Sequence, residues 1–245
     1  MTVGAVLRSE WIKIRSVRSV AGSLTAIFLA TMAVTVLSFA TVGQAEADNA
    51  DADLVFGAFY ALNFGQIAAI SFGATAISSE YVNGALRLSL AAVPRRTLLY
   101  TVKMSLIGAA ALGVGLVTSF SSFLAGQLFM GDYAIGLGEP GALRAAVGSG
   151  VYLALMTLFA AGLTVLLRSA VAVLSLLIPF ILIASFVVGD VAGGVADYLP
   201  DRAGQLVLHQ HPESSIGPWT GLAVTAAWAG LALLGGWWAL RRRDV

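Results

Sequence analysis

Six apolar stretches of roughly twenty residues alternate with short polar segments, near 20–43, 57–77, 104–129, 145–167, 169–188 and 219–240. As a helix, each is long enough to cross a hydrocarbon core of ~30 Å at ~1.5 Å per residue. The pattern therefore predicts an all-α membrane protein with six transmembrane helices. Residues 3–17 follow a different rule. Val3, Val6, Leu7, Trp11, Ile14 and Val17 share one arc at helical spacing, with Arg8 and Arg15 opposite and Lys13 at the edge. Such a pattern predicts an amphipathic helix over 1–18 lying in the membrane interface. A single transmembrane domain over 19–245 follows it. Glu10 breaks the arc. It either pairs with Lys13 on the next turn or reaches the basic pair at 95–96 or a docked partner.

The start of the chain has a superficial likeness to a secretory signal, with basic residues, an apolar run and then Ala45-Glu46-Ala47. The run at 20–43 exceeds a signal core of roughly 7–15 residues, so it is read as a retained first helix. Composition agrees with membrane residence. Hydrophobic residues make up 58% and charged residues 11%, which excludes a soluble globular domain. The connecting loops are too short to hold an extramembrane catalytic domain. The chain has no cysteine, so disulfides, thiolate metal sites and cysteine catalysis are excluded.

Charge then sets an orientation. Of 14 Lys and Arg, 12 lie in the N-terminal segment, the 78–103 loop, the Arg168 turn and the C-terminal end. Of 13 acids, 10 lie in the three remaining loops. Basic residues are retained on the cytoplasmic side, which predicts a bacterial inner-membrane protein with both termini cytoplasmic.

Individual elements add detail. Gly22, Ala26 and Ala30 put small residues at four-residue spacing in the first span, where helices can approach closely or lipid can pack. The second span is the most polar, with Asn63, Gln66, Ser71 and Thr75. Amides in a span face a bundle or a wet cavity, so they are either structural bonds or part of a path. The loop after it reads as a short helix broken by Pro94. Pro179 predicts a kink in the fifth span. The stretch 201–209 predicts a short helix capped by Asp201 that dips into the outer leaflet. Trp219 and the Trp237–Trp238 pair bracket the last span as aromatic belts.

Missing chemistry narrows the function. A P-loop needs Lys after a Gly-rich turn, and the two lysines, Lys13 and Lys103, do not follow glycine. An ion-coupled carrier needs a titratable group near mid-membrane, and none of the six spans has one at its centre. The acidic loop 44–55 lacks the glycine and the final glutamate of a calcium loop. His209 and His211 with Glu213 could hold a metal, but solvated loop histidines explain them more simply, and no metal site is assigned. No catalytic residue is assigned. The chain is expected to move or bind something, with energy supplied by another protein.

The run Glu80-Tyr81-Val82-Asn83-Gly84-Ala85-Leu86-Arg87, with Pro94-Arg95-Arg96 and Lys103, resembles the coupling segment of type-2 ATP-binding cassette (ABC) exporter permeases. Glu10-Trp11-Ile12-Lys13-Ile14-Arg15-Ser16 resembles that family's connector helix, and 217–221 through Arg242-Arg243-Asp244-Val245 its last span and tail. Ala85 departs from the pattern, standing where the family often has Thr. The resemblance implies a permease subunit working with a separate ABC ATPase, which would hold the ATP and Mg, and with a second permease chain, identical or similar. It implies docking contacts at Glu10, Lys13, Glu80, Tyr81, Asn83, Gly84 and Arg87. It implies a transport path near Asn63, Gln66, Phe72, Pro179 and Phe180, and a short re-entrant outer segment at 201–209. The lipid bilayer is a partner and nucleic acid is not. The expected cargo is a hydrophobic or amphipathic compound, such as a drug, peptide antibiotic or lipid, moved outward. A non-transporting interaction or immunity protein and an ion-coupled carrier are the alternatives.

Overall fold

The structure is a computed structural model that describes residues 3–49, 52–81, 84–184, 187, 193–212 and 214–242. The described residues are helical, with no strand among them. The helices are α1 Val3–Ser16, α2 Arg18–Thr41, α3 Gly43–Ala47, α4 Leu54–Phe59, α5 Leu62–Ser78 and α6 Ala85–Ala92. They continue as α7 Arg96–Gln127, α8 Ala142–Leu167, α9 Ala170–Pro179, α10 Pro200–Gln205 and α11 Pro218–Arg242.

Among the described residues five units are long and apolar enough to cross a bilayer: α2, α4 with α5 as one broken rod, α7, α8 and α11. The fifth apolar stretch behaves differently. Regular helix stops at Pro179, and Phe180–Ala184 continue as a π-helix. The cause is local. Proline has no N–H and its ring collides with the carbonyl four residues back, so the ladder shifts. The Phe180 N–H reaches both Leu176 and Leu177 carbonyls.

The centre of the bundle is α8, packed against α5, α7 and α11. Of its most apolar window, 67% is buried, against 22% for α2. Without a hydrophobic drive between helices in lipid, close backbone approach and polar bonds hold such a bundle. A Cβ at Gly73 would run into the Thr157 carbonyl, and one at Gly162 into the Ala232 backbone. Ser23 and Thr75 bond at 3.0 Å, Thr35 and Ser122 at 2.6 Å, and Tyr100 Oη donates to the Leu233 carbonyl at 2.7 Å.

Of the two readings of Gly22, the open one holds: a Cβ there would meet nothing within 4 Å, and α2 packs on α5 through Thr31, which occupies the space left by Gly65. Two expectations need correction. Asp201 does not cap the short outer helix. Leu199 is the N-cap and Pro200 opens α10, with Asp201 buried in its first turn. The helix after the 78–95 loop starts at Arg96, so Lys103 lies two turns inside α7 rather than in a loop.

Candidate functional site

The buried positions of α1, Val6, Glu10 and Ile14, recur every four residues. They form one stripe, and α1 lays it on α7 and α2. At Val17 the backbone becomes extended, φ −80° and ψ 108°, which lets α2 start in a new direction. After α5 the chain makes a tight turn. Glu80 N–H donates to the Ile77 carbonyl at 3.1 Å, and Leu86 N–H returns to the Glu80 carbonyl at 2.8 Å. Gly84 has φ 71°, a left-handed conformation that glycine adopts without steric cost, and it launches α6.

These turns bring five polar side chains together. Lys103 Nζ lies 2.6 Å from Glu10 Oε2 and 2.7 Å from Glu80 Oε1. Lys13 Nζ lies 2.7 Å from Glu10 Oε1 and 3.0 Å from Glu80 Oε1. Ser89 of α6 accepts from Lys13 at 2.9 Å and donates to Glu80 Oε2 at 3.1 Å. Two carboxylates and two ammoniums balance to zero. Glu10 is 2% exposed and Glu80 7%, so each would be costly if left unpaired. A cavity of about 200 Å³ adjoins the cluster, lined in part by Val17, Ala76, Glu80 and Lys103.

The electrostatics follow from the geometry. Burial pushes the Glu80 carboxyl up, but Lys103 first and Lys13 second outweigh it and hold it below its ordinary value of 4.5. Burial pushes Lys13 down, yet the Glu10 hydrogen bond and the Glu80 and Glu10 charges leave it above its ordinary 10.5. Both groups therefore stay charged through the neutral range. The cluster offers no nucleophile and no poised base. Its chemistry is mechanical: it ties α1, the turn after α5, α6 and α7 into one body.

The anticipated docking residues divide into two sets. Glu10, Lys13 and Glu80 converge in the cluster, and the carboxylates point inward. Glu10 does pair with Lys13, and its second partner is Lys103 rather than the 95–96 pair. Tyr81 is half-buried, with the Arg168 guanidinium 5.9 Å from its ring centroid. Gly84 and Arg87 are exposed, and so is Leu88. Glu80 sits in the turn and Arg87 in α6, so the two do not share a helical face. Asn83 lies outside the described residues.

The anticipated path residues also divide. Gln66 is buried and accepts a hydrogen bond from Tyr152 Oη, with Gln205 3.5 Å from the same oxygen. Phe72 is fully buried. Both belong to the interior of this chain. Asn63 donates to the Tyr60 carbonyl at 3.0 Å on the outer side of the helix. Pro179 is exposed and Phe180 half-buried. An open row of aromatics runs beside Asn63: Phe56, Tyr60 and Phe64, with ring centroids 6.2 and 6.3 Å apart. His209 is not simply solvated. It stacks on Phe56 at 4.2 Å, and its Nδ1 lies 3.3 Å from Asp53. Glu213, the third ligand considered, lies outside the described residues.

Lys103 entered the sequence reading only as the end of the coupling-segment likeness, without a role of its own, and Ser89 and Tyr152 carried no functional expectation. One signal was present for Lys103. It is one of two lysines, it falls beside an apolar stretch, and Glu10 sat unexplained in an apolar arc. Nothing local links Ser89 or Tyr152 to partners so far away in the chain.

Among the described residues the chain is a bundle of apolar helices with a short helix, α6, between its second and third long units. The sequence model of the ABC-2 family transporter proteins matches residues 6–188, and the chain belongs to that family. It is thus a multi-pass permease subunit of an ABC transporter, a class that associates with an ATPase subunit. The matched range includes Glu10, Lys13, Glu80, Ser89 and Lys103. No curated protein matches the sequence.

Proposed function

We propose that the chain is the permease of an ABC exporter that moves a hydrophobic or amphipathic compound outward, driven by a separate ATPase that docks on α1 and α6. In this reading α9 and its π-helical continuation complete a sixth span, and both termini are cytoplasmic in a bacterial inner membrane. Residues 200–208 form the short re-entrant outer segment. A second permease chain closes the path, which runs past Asn63, Pro179 and Phe180.

The observation that carries this reading is the charge cluster. A soluble motor moves a span only through a contact that does not give way. α6 buries Leu86 and commits Ser89 to the cluster, leaving Arg87 and Leu88 outward. That face is free to meet an ATPase groove, and the cluster behind it passes the load to α5 and α7. Glu10 and Glu80 act as positioning residues in this scheme, while Arg87 makes the contact.

Co-expression with a candidate ABC ATPase from the same genome tests the scheme. Arg87→Ala is expected to weaken complex formation, measured by co-purification. Glu80→Gln is expected to leave complex formation largely intact and to lower cargo-stimulated ATP hydrolysis. Undiminished assembly and stimulation in both variants would sink the coupling role.

A further inference from the structure

The first turn of α7 and the last turn of α11 frame an open groove of about 610 Å³, lined by Arg95, Arg96, Thr97, Leu98, Thr101 and Arg241. Half of that lining is arginine and none is acidic. Arg95 and Arg241 are exposed, and neither pairs with a carboxylate among the described residues. Arg96 is committed inward. It donates to the Leu240 carbonyl at 3.0 Å and the Arg241 carbonyl at 3.5 Å, which satisfies the C-terminal carbonyls of α11 and joins the two helices.

Further features give the groove a chemical preference. The Arg241 and Arg242 guanidiniums lie over the rings of Trp237 and Trp238, at 4.8 and 4.6 Å. Stacking uses the guanidinium face and leaves its N–H edge for an oxyanion. Trp237 Nε1 also donates to Thr97 Oγ1 at 3.3 Å, so the indole closes one wall. The N-cap residue Arg95 makes no side-chain cap, so the positive end of the α7 dipole opens toward the same space. Tryptophan pairs at the end of a span mark the headgroup level of a bilayer. At that depth the available anion is a lipid phosphate, with Leu98 beside it for the start of an acyl chain.

We propose that this groove binds the phosphodiester headgroup of an anionic phospholipid, with Arg95 and Arg241 as the phosphate ligands. The proposal rests on α7 and α11 crossing the membrane. It does not depend on cargo or on the ATPase, so it can fail while the permease reading stands. Basic pockets between spans are a recognised way of holding anionic headgroups.

The test is lipid retention by the purified full chain, read by native mass spectrometry after delipidation and titration with phosphatidylglycerol or phosphatidylcholine. Phosphatidylglycerol is expected to stay bound where phosphatidylcholine does not. Each arginine removed should weaken it about fivefold, so Arg95→Gln with Arg241→Gln should lose roughly 25-fold. Arg202→Gln, on α10, should change nothing. Arg241→Gln alone sits at the exposed end of α11 and covers the case in which the double variant does not fold.

Equal retention of the two lipids would overturn the proposal, and so would full retention in both arginine variants. Displacement of the lipid by millimolar inorganic phosphate would make the groove a free-anion site and overturn it too. A double variant that keeps its lipid but loses the ATPase would show a protein contact instead.

Discussion

Lys103 contacts both buried carboxylates, whereas Lys13 contacts the same pair from a more open position, with 13% and 38% of their side chains exposed. That difference decides which lysine matters more. Removing one partner from a buried ion pair strands the other charge and costs roughly 3 kcal/mol, while an exposed partner is worth under about 1 kcal/mol. Lys103→Met is therefore expected to lower the unfolding temperature in detergent clearly, and Lys13→Met only slightly. Equal effects would mean that the cluster is open to water. The cluster also sets a pH window. Glu80 titrates below 4.5 when folded, so its contribution is complete above that value and is lost as pH falls through the lowered one. Lys13 titrates above 10.5, so its contribution is lost as pH rises through the raised value. Protection factors of the α1 amides, with the intrinsic pH dependence of exchange divided out, are expected to stay flat between these limits and to fall below the lower one.

Between helices, the decisive residues are small. Gly73 lets α5 lie against the backbone of α8, and the atom that a Cβ would meet is the Thr157 carbonyl, which cannot rotate aside. Gly73→Ala should force the two helices apart and cost more than about 2 kcal/mol, as overpacking does. Gly113 in α7 faces open space. Gly113→Ala should instead stabilise α7 by up to about 1 kcal/mol, because alanine is the better helix former. Comparing the unfolding temperatures of these two variants separates packing from propensity. The α9 break works at the same scale. One proline removes one ladder bond, and Phe180–Ala184 continue as a π-helix.

Across the molecule, charge and the cluster reinforce each other. Basic residues gather at the ends of α1, α7 and α11, and acids gather in the loops after α2 and α7 and before α11. If that asymmetry orients the chain, a cytoplasm-active reporter fused after Val245 will be active and a periplasm-active one silent. The reverse result would place the α1–α6 face on the outside, away from any ATPase. With that face inside, α1 and α6 lie on the side that a soluble motor can reach, and the cluster ties both to α7 and to the turn after α5.

The helical class, the apolar segments, the break at Pro179, the short helix ahead of Pro94 and the amphipathic first helix were all legible in the sequence. Each depends on spacing within about twenty residues, where helical period, proline stereochemistry and span length act locally. The partners were not legible. Glu10 meets Lys103 across 93 positions, Gln66 meets Tyr152 across 86, and Arg96 meets Leu240 across 144. A charge in an apolar arc announces that it needs a partner, because burying it alone costs too much. Which residue answers depends on the angles at Val17 and Gly84 and on where glycines let helices touch, and those are settled only when the whole bundle packs.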